Sequence, residues 1–378
     1  MTGRPQPDKP SGEVTLVLDQ RSTLAPDADL RDGLSAIVRQ GDHIWVANDE
    51  TTSLERLKIE GNQAREHRTF DFTELLELPG EGEIDIEGLD VEGDTLWLLG
   101  SHSSVRKRVK DKHNPDQARK ALAAVEVSHR RRVLARLSTG TLLDPGGSRN
   151  SEQQRTTVFG PGGGSGGGLL DLLSDDPHLE GFIRSYPIPG KDNGIDCEGL
   201  AVTEDRVFIG LRGPVLRGWA VIIELETRDE QGIRPELIGP GGRRYRKHFL
   251  DLRGLGVRDL CRHGEDLLVL AGPTMELDGR TAVFRWRDAL TSEDEAVLHK
   301  EDLKCVLNIP FGKGKDRAEG ITLLEDGRSV LVVYDSGVWA ERPLPASCSP
   351  GTPPRKRDTA GRARYCSGPR PTAPPPTM

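Results

Sequence analysis

Paired apolar segments, each pair split by a polar turn, recur along the chain. GLSAIVRQGDHIWVANDE (33–50), IEGLDVEGDTLWLLGSH (86–102), CEGLAVTEDRVFIGLRG (197–213), VRDLCRHGEDLLVLAGP (257–273) and AEGITLLEDGRSVLVVYDS (318–336) share one plan of strand, turn and strand. Short runs rich in Val, Ile and Leu, bounded by Gly and Asp, read as strands rather than helices. Aligning Ser35, Glu87, Glu198, Arg258 and Glu319 gives spacings of 52, 111, 60 and 61 residues. A repeat of this length is the mark of a modular architecture.

After each pair the chain carries material for two more strands: SLERLKIE and REHRTFDF, RRVLARLS and FIRSYPI, WAVIIELE and YRKHFLDL, TAVFRWRD and LKCVLNIP. Four strands per repeat define a propeller blade. The expected fold is therefore all-β, a β-propeller of about five four-stranded blades. The long second interval is read as one blade plus an insertion at 112–180, made of the helix-prone Pro115 to His129 and a glycine tract; two blades there would make six. The last repeat has only its inner pair before the chain turns polar. The apolar strand Glu13 to Gln20 is available to close the ring and remove an exposed edge. Residues 13–343 are read as a single propeller domain. Residues 1–12 and the Pro/Arg-rich segment 344–378 are read as disordered tails, since neither offers enough apolar surface to offset ordering.

Composition narrows the function classes. The net charge of −8 opposes general nucleic-acid binding, which needs a basic face; the Lys/Arg runs near 106–112, 130–132 and 355–364 read as solvated loops. Five widely spaced cysteines without a C-x-x-C pair point to neither a disulfide framework nor a structural zinc. No segment reaches the roughly 18 apolar residues of a membrane span, and the N-terminus lacks an apolar leader core. A cytoplasmic protein is expected. The glycine tract around residue 165 lacks both the strand–turn–helix setting of a nucleophile elbow and the Lys-Ser/Thr ending of a phosphate loop, so no nucleotide cofactor is expected.

Candidate chemistry lies in the acidic phrases EIDIEGL, KDNGIDCEGL and AEGI, which open inner strands. Inner strands line the channel of a propeller, so Glu87, Glu198 and Glu319 should converge. Converging carboxylates need a cation, a proton or basic partners. Together with Asp49 and Asp335 at the ends of second strands, they are candidate ligands for Ca²⁺ or another divalent cation, which takes oxygen donors. Arg258 stands where other repeats carry Glu, and Arg212 where they carry Asp. With Arg217 these arginines are candidates either for a small polar or anionic ligand or for neutralising the ring internally. His102 and His248 are candidate general bases. Two functions stay open: ligand binding, extending to ester or phosphoester hydrolysis, at a cation-bearing acidic funnel; and a non-enzymatic scaffold for a protein partner whose channel is salt-bridged.

The segments KDNGIDCEGLAV, FIGLRGPVLRGWAVIIELE, YRKHFLDLRGLGVRDLC and VLAGPTMELDG resemble the bacterial family known as domain of unknown function 3616, over roughly Leu34 to Ser336. The resemblance implies a propeller-like repeat protein and no established activity. More distantly, the D-x-E-G-L phrase is similar to that of phytase-like esterase and calcium-dependent lactonase propellers, an analogy of fold.

Overall fold

The computed structural model describes residues 6–19, 30–72, 76, 83–143, 156–160, 167–184, 187–227, 232–275, 277–311 and 317–335, and the backbone of 360–367. In chain order the strands begin with β1 (Gly12–Val17). Blade 1 follows as β2 (Leu34–Gln40), β3 (His43–Asn48), β4 (Ser53–Glu60) and β5 (Gln63–Asp71). Blade 2 starts with β6 (Ile86–Glu92) and β7 (Thr95–Gly100). The chain then leaves the blade through β8 (Ser104–Arg106), helix α1 (Pro115–Ala123) and β9 (Val125–Val127), and returns for β10 (Leu134–Ser138) and β11 (Thr157–Phe159). Blade 3 is β12 (Asp196–Val202), β13 (Arg206–Leu216), β14 (Trp219–Glu226) and β15 (Arg246–Leu250). Blade 4 is β16 (Gly256–His263), β17 (Asp266–Gly272), β18 (Thr281–Trp286) and β20 (Lys304–Ile309), with β19 (Val297–Leu298) added in parallel to β15 of blade 3. Blade 5 is β21 (Ala318–Leu323), β22 (Ser329–Tyr334) and β23 (Ala360–Ser367), completed by β1.

Five quartets result, although hydrogen bonding groups them as sheets of eight, four, five and four strands. The eight-stranded sheet is blades 5 and 1 joined, because β1 also pairs in parallel with β5 at Thr15↔Gln63 and Leu16↔Ala64. Inner strands β2, β6, β12, β16 and β21 lie side by side in that order, and β21 returns to β2. The expected propeller is thus present with five blades, and β1 closes it.

Strand alternation explains the packing. In β17, Leu268 and Leu270 belong to the apolar core shared with blade 5, while Leu267 and Val269 belong to the one shared with blade 3. Likewise Val330 and Val332 of β22 face blade 4, and Leu331 and Val333 face blade 1. Both faces of each blade are covered, so successive strand residues point into different cores. Five such cores fill the five gaps between blades. Polar pegs bridge neighbouring inner strands. Asp90 of β6 accepts from Val202 N–H of β12 at 2.7 Å, and Asp259 of β16 accepts from Ile321 N–H of β21 at 2.7 Å.

Four expectations are corrected. The span 112–180 is not wholly an insertion, since it contains β10 and β11 of blade 2. FIRSYPI is not the outer strand there: Glu180–Ile183 is a short helix, and Leu169, Leu173 and Leu179 of that excursion fill the core between blades 2 and 3. Within the segment read as a disordered tail, Ala360–Ser367 forms the third strand of blade 5, because β22 and β1 would otherwise leave their backbone groups unpaired. At the other end, Asp8 N–H donates to Asn308 O at 2.8 Å and the Asp8 carboxylate accepts from Asn308 N–H at 2.7 Å, so residues assigned to the N-terminal tail cap the edge of β20. Among the described residues no helix is long and apolar enough to cross a membrane.

Candidate functional site

Every inner strand breaks register with its partner at the same place. The pairing slips between Leu34 and Ala36, Ile86 and Gly88, Cys197 and Gly199, Val257 and Asp259, and Ala318 and Gly320. The residue skipped each time is the one aligned above: Ser35, Glu87, Glu198, Arg258 and Glu319. A bulge leaves one extra residue unpaired and re-aims its side chain. Five bulges at one level therefore make a ring of side chains at the channel mouth. The glycine after three of them is required by crowding, since a Cβ on Gly88 would meet Leu200 Cβ at 2.9 Å and one on Gly199 would meet Leu260 Cγ at 2.9 Å.

The ring divides into two halves. In one, Arg258 Nη1 donates to both oxygens of Glu198, at 3.0 and 2.9 Å, and Nη2 donates to Glu319 Oε1. Arg212 Nη1 lies 2.7 Å from Glu198 Oε1, and its Nη2 lies 2.5 Å from Asp196 Oδ2. Burial works against the Arg212 charge, but Asp196 and Glu198 outweigh it and hold the guanidinium more basic than usual.

The other half is acidic, and among the described residues only Asp85 in it meets an arginine. Carboxylate oxygens of Asp49, Asp85 and Glu87 lie within 4.8 Å of one another. Asp85 Oδ2 accepts from Ser101 Oγ at 2.5 Å and lies 3.1 Å from Arg131 Nη1. Among the described residues, Asp49 Oδ1 is buried without a hydrogen-bond partner, as is Oγ of Ser35, the neutral member of the ring. Gly33 makes room for this carboxylate: a Cβ there would sit 2.2 Å from Asp49 Oδ1. Burial, then Asp85 and Asp335, push the Asp49 carboxyl up to about 7. Burial, then Glu198, Asp85 and Asp49, push Glu87 well above the usual carboxylate range. Glu319 rises to about 8 through burial, against the opposing pull of Arg258, and Asp196 to about 7 through burial, against that of Arg212.

Oxygens bound to one Ca²⁺ at about 2.3–2.6 Å are at most roughly 5 Å apart. The spacing of Asp49, Asp85 and Glu87 meets that limit, and the donor set is all oxygen, as a hard cation requires.

A family profile described as "Protein of unknown function (DUF3616)" matches residues 33–345. The chain belongs to that family. The match begins at the threshold of β2 and leaves out β1 and β23, the strands that close the ring of this DUF3616 protein. No curated protein matches the chain. Among solved structures, Myxococcus xanthus glutaminyl cyclase is 10% identical, with 95% of this chain and 99% of that chain covered and a TM-score of 0.38. The calcium-binding protein regucalcin from Agrobacterium tumefaciens is 11% identical, with 85% of each chain covered and a TM-score of 0.34. The β-propeller domain of Myceliophteria thermophila Cps50 (Swd1) is 10% identical, with 89% of this chain and 98% of that chain covered and a TM-score of 0.32. The propeller assignment rests on the strand pairing above.

The residues singled out in the sequence fall into three places. Glu87 and Asp49 join the acidic half. Asp335 stands beside them: its backbone carbonyl accepts from Gly33 N–H at 2.5 Å, and its carboxylate contributes to raising Asp49. Glu198, Glu319, Arg212 and Arg258 form the paired half. Arg217, His248 and His102 do not join the ring. Arg217 is exposed in the turn between β13 and β14, where its φ is 52°. His248 lies on outer strand β15, where Nε2 meets Glu224 Oε2 at 2.9 Å and Nδ1 accepts from Ala296 N–H at 3.1 Å. That acceptor role fixes the proton on Nε2. His67 repeats the arrangement on β5, with Glu55 at 2.6 Å and the Asp19 N–H at 2.9 Å. In both blades the imidazole ties the outer strand to the segment running parallel beside it, so His248 is a latch. His102 is buried with Nδ1 2.8 Å from Gly100 O, and burial holds it neutral with its pKa lowered to about 4.

Sequence reasoning placed Asp85 and Asp196 in the acidic phrases but did not select them as ligands. The alternation in I-D-I-E was the available signal, because residues two apart along a strand share a side; it puts Asp85 with Glu87 and, in G-I-D-C-E, Asp196 with Glu198.

Proposed function

We propose that the acidic half of the channel mouth binds one divalent cation through Asp49, Asp85 and Glu87, and that a small polar or anionic ligand completes its coordination from the open end. The carrying observation is the contrast within one ring: Glu198 and Glu319 are held by arginines, whereas Asp49 and Glu87 have no cationic hydrogen-bond partner among the described residues. Three clustered carboxylates, of which only Asp85 meets an arginine, with one buried oxygen unsatisfied, are costly unless a cation or protons are taken up. A bound cation would attract an anionic ligand and polarise an ester or phosphoryl oxygen. Neither candidate histidine is placed in the ring, so this reading is one of binding, with hydrolysis dependent on metal-bound water alone. The free thiols Cys197, Cys261 and Cys305 are consistent with the reducing cytoplasm that forms part of this proposal.

Calorimetric titration of Ca²⁺, Mg²⁺ and Mn²⁺ into chelator-treated protein tests it. One equivalent should bind, and Glu87→Gln combined with Asp49→Asn should abolish the heat while leaving the circular dichroism spectrum intact. Absence of binding to the wild-type protein sinks the reading in favour of the alternative scaffold, which the Arg212 and Arg258 pairs support. In that case the ring is purely structural.

A further inference from the structure

β7 ends at the channel mouth, where Ser101 Oγ meets Asp85 Oδ2 at 2.5 Å, and from there the chain leaves the blade through β8, α1 and β9, all of it within the described residues. This arm is a folded unit. β8 and β9 pair from Ser104↔Val127 to Arg106↔Val125, and Lys107 N–H donates to Ala124 O at 3.0 Å. Helix α1 has Pro115 in its first turn and a reciprocal cap, with Gln117 N–H donating to Asn114 Oδ1 at 2.9 Å and Asn114 N–H to Gln117 Oε1 at 3.0 Å. The arm is fastened beside the mouth. Arg106 Nε donates to Asp192 Oδ2 at 2.7 Å, and Ser104 Oγ to Ile188 O at 3.3 Å, in the segment that leads into β12.

The charge on this arm opposes that of the chain. Residues 104–127 hold seven Lys and Arg against Asp111, Asp116 and Glu126, on a chain whose net charge is −8. Glu126 pairs with Lys107 at 2.8 Å, Asp116 with Arg119, and Asp192 takes Arg106. Among the described residues the positive excess therefore falls on Arg108, Lys110, Lys112 and Lys120, all exposed. Three of the nine large apolar side chains exposed among the described residues belong to the same arm: Val109, Leu122 and Val127, at 39, 54 and 43%. We propose that the arm is a docking surface for an acidic segment of a partner protein that also carries aliphatic side chains. Charge complementarity calls for a polyanion, and the composition of the arm decides which kind. It holds no Phe, Tyr or Trp, the residues that stack on nucleic-acid bases and anchor proteins in a bilayer interface. Its three acids are repelled by the uniform charge of a phosphate backbone or an anionic bilayer, whereas a protein can set its own bases opposite them. Because the arm is already folded, less ordering has to be offset on binding. The assignment is separate from the cation-binding reading and stands whether or not a metal binds.

The probe is a short fluorescein-labelled peptide of repeating Glu-Leu-Glu, titrated by fluorescence anisotropy at physiological ionic strength. It should bind one to one, and at least about tenfold more tightly than the same peptide with Gln for every Glu. Replacing its Leu by Ser should weaken it by about threefold. Lys110→Glu combined with Lys112→Glu, both at exposed positions, should weaken the Glu-Leu-Glu peptide at least about tenfold and leave the circular dichroism spectrum intact. Leu122→Ser should weaken the leucine peptide and leave the serine peptide unaltered. Glu87→Gln should leave peptide binding unaltered, which separates failure here from failure of the cation site. Three results overturn the assignment: no binding of the peptide by the wild-type protein, undiminished binding by the lysine double variant, or equal or tighter binding of duplex DNA or phosphatidylserine vesicles under the same conditions.

Discussion

A single bulge residue per blade decides the character of the channel mouth, and its identity can be exchanged while the backbone stays the same. Arg258 holds two carboxylates at a fully buried position. Arg258→Met should therefore cost about 3–5 kcal/mol, the usual penalty for stranding buried charge, read as a lower urea midpoint. Glu87→Gln should have the opposite sign in metal-free protein. It removes a carboxylate crowded by Asp49, Asp85 and Glu198, so the melting temperature should rise, on the order of 1 kcal/mol in stability, and stabilisation by Ca²⁺ should vanish. A fall in melting temperature for the metal-free variant would show that Glu87 has an attractive partner. The pH response follows from the same residues. Asp49 and Asp196 near 7 and Glu319 near 8 are raised above the ordinary carboxylate range near 4. Between about 4 and 8 the native state then holds more protons than the unfolded chain, so stability is greatest at the acidic side and is lost as pH rises through 7 to 8. Chelator-treated protein should melt lower at pH 8 than at pH 6, and saturating Ca²⁺ should flatten that slope.

At the scale of elements, buried ion pairs fasten the excursions to the blades. Asp176, in the excursion after β11, accepts at 2.7 Å from Oη of Tyr245, just before β15, and at 2.5 Å from Nζ of Lys247, within β15. Both Asp176 and Lys247 are buried. Lys247→Met should cost about 3–5 kcal/mol, whereas the joint change with Asp176→Leu should recover most of the loss; a double-mutant denaturation cycle measures the difference. His248→Ala should loosen β19 and speed hydrogen exchange at Phe249 and Asp251, whose N–H groups donate to Ala296 and Leu298, without altering cation binding. Second strands such as β7, β17 and β22 were legible in the sequence because both of their faces are buried and so they read as nearly unbroken apolar runs. Outer strands were less so: β11 is three residues long, and the Gly-rich stretch around it carries no periodicity, so FIRSYPI with its Phe and Ile stood out instead. The ring positions followed from repeat alignment alone, since one bulge per blade keeps them in phase. Which carboxylates are matched by arginine depends on side-chain reach across blades, as with Arg258 spanning from Glu198 to Glu319, and no one-dimensional spacing encodes that.

For the whole molecule, five blades share five apolar cores and one closure. Blade 5 takes two strands from one stretch of chain, a third from Ala360–Ser367, and its fourth from Gly12–Val17. The family match ends at residue 345, and tail composition gave no hint of a strand: AGRARYCS lies among prolines and arginines and acquires its order from two waiting edges. Truncation after residue 345 should leave a folded but less stable protein, with β1 and β22 no longer joined through β23. The expected readout is a lower melting temperature and faster proteolysis near Gly12–Val17; unchanged melting would mean that β1 pairs without its partner.

Closure by the two ends also sets an order in time. The first strand of the chain has its antiparallel partner only after some 340 further residues have been made, which at about 5–20 residues per second takes roughly 17 to 70 s on the ribosome. Throughout that interval four blades can stack on one another while the edge of β1 that later receives β23 stays open to any passing strand. A nascent chain of this kind is a natural client for whatever cellular machinery shields unpaired edges during synthesis.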